Sequence, residues 1–324
     1  MNITNMKNSA FEVNVMGKNR ILKLIKRPQH LFLVLGRRGF FKWMSDKTYL
    51  KIAFKCEMGN NLNLENPVSF NEKLQWLKLN NRKSEYTKMV DKYAVRKYIS
   101  DTIGQEYLIP LLGVWDSAKD IDFDMLPNQF VLKCTHDSGR VIICKDKSTF
   151  DFDNAKQKLS KWLNQNYFWG DREWVYKDVK PRIIAEKYMT ENSSDELKDY
   201  KFMCFNGQPK FLLVCSNRFN TNGLNIDFYD LNWDKLSLKR KNKENSIVPL
   251  SKPKLFDLMI VLSKKLSSNI PFVRIDFYEI NGRVFFGEIT FFPSSGMEEF
   301  VPKEWDMILG KWLMLPSECG ENCI

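Results

Sequence analysis

The order of apolar and polar positions predicts helices and strands that alternate irregularly along the chain. Ser69, followed by Glu72 and then by apolar residues at helical spacing, predicts a capped helix over 67–80. Apolar runs predict strands over 129–134, 141–144 and 181–189, and further helices are predicted over 91–104, 152–166, 253–267 and 303–314. Residues 199–217 predict a hairpin that turns at Asn206–Gly207. Hairpins mixed with helices favour an α+β fold over a doubly wound parallel sheet.

A second hairpin is predicted in the segment FVRIDFYEINGRVFFGEITFFPSSG, residues 272–296. A strict two-residue turn at Asn281–Gly282 would pair Asp276 with Gly287 and put Glu288 on the opposite face. A three-residue loop over 280–282 with a bulge changes the register by one residue and places Arg274 opposite Glu288. We expect this second register, with Asp276 and Thr290 on the same face. The other face is then apolar throughout, with Val273, Ile275, Phe277, Phe285, Ile289 and Phe291.

Two carboxylates that converge from neighbouring strands repel each other unless positive charge lies between them. Arg274 supplies one such charge, and a hard divalent cation with oxygen ligands fits the pair better. The competing interpretation is a cross-strand ion pair between Arg274 and Glu288 at a sheet rim, which contributes little to stability. Both interpretations remain open on the hairpin alone.

Composition favours a folded protein with anionic partners. The 324 residues are 44% apolar and 27% charged, as in ordinary globular proteins, and carry a net charge of +11. Such a charge suits phosphates, uronic acids, nucleic acid or an acidic membrane face. Only two histidines are present, which excludes a histidine-rich metal site. The seven cysteines contain no CxxC pair and we find no secretion signal, so we expect a cytoplasmic protein.

The basic residues are concentrated near the N-terminus. Residues 17–56 hold eleven Lys or Arg against one acid, Asp46, and read as two or three short helices broken at Pro28, Gly36 and Gly39. One interpretation is a solvated helical cap. The other is a surface that rests peripherally on anionic lipid at the inner face of the plasma membrane, because Leu, Phe and Trp interleave with the charges.

Separate segments supply what a phosphate site needs. Lys133 ends a strand before the polar turn THDSGR, whose backbone amides can cover phosphate oxygens. Arg96 lies on the 91–104 helix and Lys201 on the 199–205 strand. Each alone is typical of a solvated charge, and their joint presence with the hairpin carboxylates is what indicates a metal–phosphate site.

The order of these motifs resembles that of the ATP-grasp enzymes. Their detailed sequences resemble the TupA-like branch of that family: DKYAVR, LKCTHDSG, IIAEKYM, DYKF, RIDF and GEIT. The resemblance covers about residues 48–305. It implies that ATP is bound by phosphate-contacting cations, by a mobile loop and by an adenine hinge, formed by Arg96, Lys133, Lys201, His136, Ser138, Gly139, Glu186, Lys187 and Met189. It also implies that Lys133, Lys201 and Arg274 act in catalysis and that Mg²⁺ is held by Asp276, Glu288 and Thr290.

The resemblance also implies a division of the chain. A basic helical N-terminal region over 1–90 precedes an ATP-grasp domain over 91–315, split into subdomains 91–185 and 186–315, with a tail over 316–324. Two departures stand out: Thr290 replaces the Asn that many ATP-grasp enzymes have there, and the N-terminal region replaces a nucleotide-fold-like domain.

The implied activity is an ATP-dependent carboxylate–amine ligase that works through an acyl phosphate. The TupA-like branch implies a role in bacterial capsule, O-antigen or exopolysaccharide synthesis, with an amino acid joined to a uronic acid. The expected partners are an anionic sugar or lipid-linked glycan and an amine, with no nucleic acid. The alternatives are a glycosyltransferase of a polysaccharide cluster, an ATP-grasp sugar kinase and a non-catalytic adaptor that binds acidic glycan.

Overall fold

A computed structural model describes residues 28–190, 197–217, 224–241 and 243–316. The chain divides into two compact units. The first comprises residues 1–62 and 169–172, and the second comprises residues 63–168 and 173–324. The part of the predicted N-terminal helices before residue 28, and the tail from residue 317, lie outside the described residues. Among the described helices none is long and apolar enough to cross a membrane.

The first unit contains helices α1 (Pro28–Arg37) and α2 (Asp46–Met58). Ser45 caps α2, because its hydroxyl accepts a hydrogen bond from the Thr48 amide at 3.2 Å. The predicted break near Gly36 and Gly39 is present, since α1 ends at Arg37 and a turn that contains Gly39 separates it from α2. Gly36 itself lies within α1 and packs closely on Tyr49, because an added Cβ would collide with the Tyr49 hydroxyl oxygen.

Five of the remaining helices were predicted and have bounds that differ by a few residues, whereas Ser84–Val90 and Phe168–Asp171 were not predicted. The Ser69–Glu72 capping box is present as predicted, with both of its hydrogen bonds. These helices are α3 (Phe70–Asn80), α4 (Ser84–Val90), α5 (Val95–Thr102), α6 (Phe152–Leu163), α7 (Phe168–Asp171), α8 (Phe256–Leu266) and α9 (Glu304–Trp312).

The second unit is built on two antiparallel sheets. The smaller has the strand order β1-β4-β2-β3 and the larger β10-β9-β5-β6-β7, while β11 and β8 pair separately. The strands are β1 (Leu111–Trp115), β2 (Phe130–Cys134), β3 (Val141–Cys144), β4 (Ile183–Lys187), β5 (Asp199–Phe205), β6 (Gln208–Ser216), β7 (Asn225–Asp230), β8 (Lys239–Arg240), β9 (Phe272–Ile280), β10 (Arg283–Thr290) and β11 (Phe300–Val301). The mixture of helices with antiparallel sheets confirms the predicted α+β class.

Each sheet has one face packed on a hydrophobic core. In the smaller sheet the core joins β2 and β4 to α6, through buried residues that include Phe130, Leu132, Leu159, Ile183 and Ala185. In the larger sheet Phe202 packs against Phe256 of α8, with ring centroids 5.8 Å apart, and against Phe277. The opposite face of β5 and β9 is thereby left for polar side chains.

The register of the β9–β10 hairpin corrects the predicted one. The turn is a two-residue turn, with Asn281 and Gly282 at φ 50° and 72° and Arg283 opposite Ile280. The extra residue lies further along, between Phe286 and Glu288, so Gly287 forms the bulge. Asp276 is therefore opposite Glu288, and Thr290 is opposite Arg274.

The bulge keeps the predicted polar face together and changes one apolar position. Directly paired residues share a face of the sheet. Asp276, Glu288, Arg274 and Thr290 therefore lie on one face, as expected. Phe285 is paired with Tyr278 and lies on that same face, whereas Phe286, paired with Phe277, takes the core position that we had expected for Phe285.

We predict that Gly287→Ala lowers the free energy of unfolding by about 1–3 kcal/mol, the usual cost of overpacking. A Cβ there would lie 3.1 Å from the Asp276 carbonyl oxygen and 3.3 Å from the Asp276 Cβ. The same variant should weaken magnesium-dependent nucleotide binding, because Asp276 has to shift. Urea unfolding and nucleotide titration measure the two effects.

Gly282→Ala is the matched control in the same hairpin. It has strained backbone but no neighbour within 4 Å of the added Cβ, so stability should fall while nucleotide binding is unchanged. Equal nucleotide binding by Gly287→Ala and the native protein would show that the bulge does not position Asp276.

Candidate active site

The centre of the candidate site is a buried charge cluster on β5 and β9. Arg274 donates to both oxygens of Asp276, with Nε and Nη2 each 2.7 Å from a carboxylate oxygen. Lys201, opposite Asp276 in the sheet, also donates to this carboxylate. Glu288 joins the cluster from β10, with its Oε2 3.5 Å from Arg274 Nη2.

The cations decide the ionisation of this cluster. Burial raises the pKa of Asp276, but Arg274 and Lys201 outweigh burial and hold that pKa below its ordinary value. Burial lowers the pKa of Arg274, and the nearby Asp276 and Glu288 carboxylates more than offset it, so the pKa is raised. Asp276 is thus an anion although its side chain is only 2% exposed.

Thr290 and Tyr176 flank the carboxylates. The Thr290 hydroxyl is buried without a hydrogen-bond partner, on the strand position opposite Arg274. Tyr176 is buried as well, and burial together with the Glu288 charge raises its pKa well above the ordinary value. Tyr176 is therefore a neutral phenol near the Glu288 carboxylate.

A second group of charges comes from the smaller sheet. Glu186 on β4 accepts a hydrogen bond from Lys133 Nζ at 2.7 Å and from Arg96 Nη1 at 3.3 Å. Arg96 Nη2 also donates to the Ile109 carbonyl at 2.9 Å. Two of the three cations predicted to contact phosphate are thus brought together, and both bind Glu186, the carboxylate predicted to contact adenine.

The turn after β2 is fastened at its start and exposed at its tip. The Thr135 hydroxyl donates to the Lys180 carbonyl at 2.8 Å, and Arg140 forms an ion pair with buried Asp137 at 2.8 Å. His136 is buried, with Nε2 at 3.2 and 3.0 Å from the carbonyl oxygens of Trp162 and Gln165. Burial lowers the pKa of His136, so the ring is neutral. Its contacts are structural, and its assignment to the nucleotide stays a prediction.

Ser138 and Gly139 form the tip of this turn, half-buried and exposed respectively. Gly139 has a φ of 80°, in the left-handed region that glycine adopts without strain. Thr135, His136 and Asp137 are buried, so only the later part of the turn, from Ser138 onwards, is accessible to a ligand.

The two charge groups line one continuous cleft in the second unit. A cavity of about 170 Å³ is bounded by Arg96, Lys133, Glu186, Lys201, Asp276 and Glu288. A neighbouring cavity of about 140 Å³ shares Lys133, Glu186 and Tyr278 with it and has a more apolar lining. Lys187 and Met189 lie at this second cavity, and Met189 packs on the buried cluster of Ile109, Ile280 and Phe285.

Of the polar and charged residues that line this cavity, four were missed in the sequence analysis: Lys92, Arg140, Asp199 and Tyr278. A signal existed for the first three. Lys92 follows Asp91 in DKYAVR, Arg140 ends the THDSGR turn, and Asp199 precedes Lys201 by two residues, which places both on one strand face. Tyr278 stands in the same relation to Asp276, but an aromatic residue in an apolar hairpin is indistinguishable from a core residue.

A family model described as TupA-like ATPgrasp matches residues 72–314. The chain belongs to this family. The matched segment contains every residue proposed above for the cleft. A search of the curated proteins gave no match.

Solved structures that match the chain at low identity include three ligases. D-alanine–D-alanine ligase from Bacillus anthracis, complexed with ATP, is 15% identical over 62% of this chain and 54% of its own, with a TM-score of 0.37. The Helicobacter pylori enzyme is 15% identical over 76% of this chain and 69% of its own, with a TM-score of 0.41. The ligase PsnB, complexed with a minimal precursor, Mg and ADP, is 10% identical over 68% and 57%, with a TM-score of 0.35. The chain thus spans little more than half of the first of these.

The cleft fits the two groups that an ATP-grasp fold implies. Its apolar end, with Ile109, Met189 and Tyr278, suits a planar base, and its other end gathers Lys133, Arg96 and Lys201 as phosphates require. Asp276 and Glu288, with the unpartnered Thr290 hydroxyl, offer the oxygen donors that Mg²⁺ prefers. No group of three or more His, Cys, Asp or Glu side chains suited to a metal occurs within the described ranges, so two carboxylates would have to be completed by phosphate oxygens and water.

We predict that acid destabilises the protein partly through Asp276. Because the folded pKa of Asp276 is below its ordinary value, its contribution to stability is present above the pKa of the unfolded chain and is lost as the pH falls through the folded pKa. The urea midpoint of the native protein should therefore fall below about pH 4 more steeply than that of Asp276→Asn.

Asp153→Asn, at an exposed residue of α6, is the matched control and should keep the native acid slope. Parallel acid slopes in the native protein and in Asp276→Asn would mean that the carboxylate is not held below its ordinary pKa.

Proposed function

We propose that the protein is an ATP-dependent carboxylate–amine ligase that works through an acyl phosphate and uses Mg²⁺. The observation that carries the proposal is the meeting of two charge groups in one cleft. Lys133 and Arg96, which both bind Glu186, line the same cavity as the hairpin carboxylates Asp276 and Glu288. Asp276 is in turn bound by Arg274. Membership of the ATP-grasp family supports the nucleotide assignment.

Each charged side chain has a separate task in this proposal. Asp276 and Glu288 would hold Mg²⁺, which when bound supplies charge neutralisation to the phosphate oxygens. Lys133 and Arg96 would bind phosphate from the side of the smaller sheet. Lys201 and Arg274, already desolvated by the sheet, would face the transferring group, where preorganised positive charge lowers the barrier most.

The reaction needs two displacements and no protein nucleophile. A carboxylate oxygen of the substrate attacks the γ-phosphorus of ATP, and the bond to the β-phosphate oxygen breaks to release ADP. The amine then attacks the acyl carbon, inorganic phosphate leaves, and the amine gives up a proton. Positioning and charge account for most of the rate in such a scheme, which agrees with a cleft whose polar lining consists mainly of lysine, arginine and carboxylate side chains.

The proposed substrates are a uronic acid of a bacterial surface polysaccharide or its lipid-linked precursor, and an amino acid. The net charge of +11 supports an anionic acceptor. The resemblance to the TupA-like branch supports the polysaccharide setting. In this proposal the product is an amide on a capsule, O-antigen or exopolysaccharide unit.

We predict that Asp276→Asn and Glu288→Gln each remove nearly all ATP turnover, by about a hundredfold or more, because each loses a ligand from the proposed Mg²⁺ site. Glu279→Gln is the matched control. It lies on the same hairpin, its carboxylate accepts from the Leu255 amide at 3.2 Å, and it does not line the cleft. Phosphate release at saturating magnesium measures turnover, and near-native rates in both carboxylate variants would refute the site.

We also predict that hydroxylamine traps a hydroxamate when ATP and a uronic acid are present without the amine. The nucleotide product should be ADP, because attack at the γ-phosphorus leaves ADP whereas adenylation leaves AMP. Lys133→Ala should lower the yield by roughly tens- to a thousandfold, with a smaller effect on ATP affinity, as expected for a charge needed most during transfer.

Three other products identify the alternatives. Hydroxamate with AMP keeps ligation and rejects the acyl phosphate, a phosphorylated sugar with ADP indicates a kinase, and consumption of a nucleotide sugar indicates a glycosyltransferase.

A further inference from the structure

The first unit displays aromatic side chains that its own core does not use. Phe40 is 63% exposed and Trp43 is 79% exposed, and both lie in the turn between α1 and α2. Phe41, between them, packs inward, with its ring centroid 4.6 Å from that of Phe32 and 6.4 Å from that of Tyr49. Two large aromatic rings therefore remain exposed on a turn whose neighbouring ring is packed.

The turn is held in this shape by Arg172. The guanidinium is only 1% exposed, lies 4.4 Å from the ring centroid of Tyr49, and donates to the Phe41 carbonyl at 2.6 Å. Its Nε is 3.4 Å from Asp46 Oδ1. Because Arg172 binds the backbone carbonyl of Phe41 and the side chain of Asp46, the turn has a defined conformation in which Phe40 and Trp43 are exposed.

Exposed basic residues lie close to these rings along the chain. Lys47, Lys51 and Lys55 are exposed and spaced four residues apart on α2, which places them along one face of the helix. Arg37, Arg38 and Lys42 precede or interrupt the turn. Of the two acids between residues 28 and 58, Asp46 is paired with Arg172 and Glu57 lies 3.7 Å from Arg37. We call Phe40, Trp43, Lys47, Lys51 and Lys55 the basic aromatic patch.

We propose that the basic aromatic patch docks the protein peripherally on an anionic lipid surface. Charge complementarity selects this occupant: a row of lysines attracts phospholipid headgroups over a Debye length. Exposed Trp and Phe side chains enter the boundary between headgroups and acyl chains. The patch contains both the lysines and the exposed aromatic side chains within residues 40–55, and the proposal does not depend on the activity of the cleft.

The test is co-sedimentation of the full-length chain with vesicles of phosphatidylcholine alone and of phosphatidylcholine mixed with phosphatidylglycerol. The native protein should bind only the anionic vesicles and should be released by high salt. Phe40→Ser/Trp43→Ser and, separately, Lys47→Gln/Lys51→Gln/Lys55→Gln should each weaken binding by about tenfold or more at low salt.

Matched controls change exposed apolar and lysine side chains in the second unit. Ile247→Ser/Val248→Ser removes two apolar side chains that are 99% and 71% exposed. Lys119→Gln/Lys161→Gln/Lys264→Gln removes three exposed lysines. Both controls should bind anionic vesicles like the native protein. Trp43→Phe, which keeps an aromatic ring, should retain most of the binding, and circular dichroism checks that every variant is folded.

Several results would overturn the proposal. One is the absence of native binding to the anionic vesicles at low salt, and another is equal binding to neutral vesicles. Equal losses of vesicle binding in the lysine variant of the patch and in its lysine control would show that binding depends on the net charge and not on the patch. Patch-dependent self-association or binding to duplex DNA, without vesicle binding, would assign the patch to a second copy or to nucleic acid instead.

Discussion

The bidentate pairing of Arg274 with Asp276 is the constraint on which the candidate site depends. Two residues on one strand face hold each other in a single geometry, and Lys201 and Glu288 are added from the strands on either side. A carboxylate buried this deeply would cost several kcal/mol without partners. The cations that remove that cost are the same groups that a transferring phosphoryl group would need. The same side chains therefore stabilise the buried carboxylate in the sheet and supply the positive charge of the candidate site.

Both sheets bind cations through an acidic strand residue, but the source of the cations differs. On the larger sheet the positive groups are bound to Asp276 within the sheet, whereas on the smaller sheet Lys133 and Arg96 converge on Glu186. In both cases an acidic residue in a strand directs long, flexible cations towards the cleft and limits the conformational entropy they would lose on binding a ligand. Glu186 thus has a positioning task that a contact with adenine alone would not require.

Sequence patterns predicted much of this arrangement because local physics determines it. The Ser69–Glu72 box, the Asn206–Gly207 turn and the shared face of Asp276 and Glu288 all follow from rules that act over a few residues. The position of the bulge does not. A bulge at Gly287 and one at the turn give the same set of polar residues on one face, and they differ in the cross-strand pairs and in whether Phe285 or Phe286 faces the core. The fastening of His136 by α6 likewise depends on packing between distant segments.

The placement of Arg172 has a consequence for how the chain can fold during synthesis. Residues 169–172 belong with the N-terminal helices, and the bond from Arg172 to the Phe41 carbonyl spans 131 positions of the chain. The helices around Tyr49 consequently lack their central cation until residue 172 has left the ribosome, by which time both strands β2 and β3 have already emerged. A gene cut between residues 62 and 63 would separate Arg172 from the carbonyl, the carboxylate and the ring that surround it. The first unit is thus contiguous in space without being contiguous in the gene.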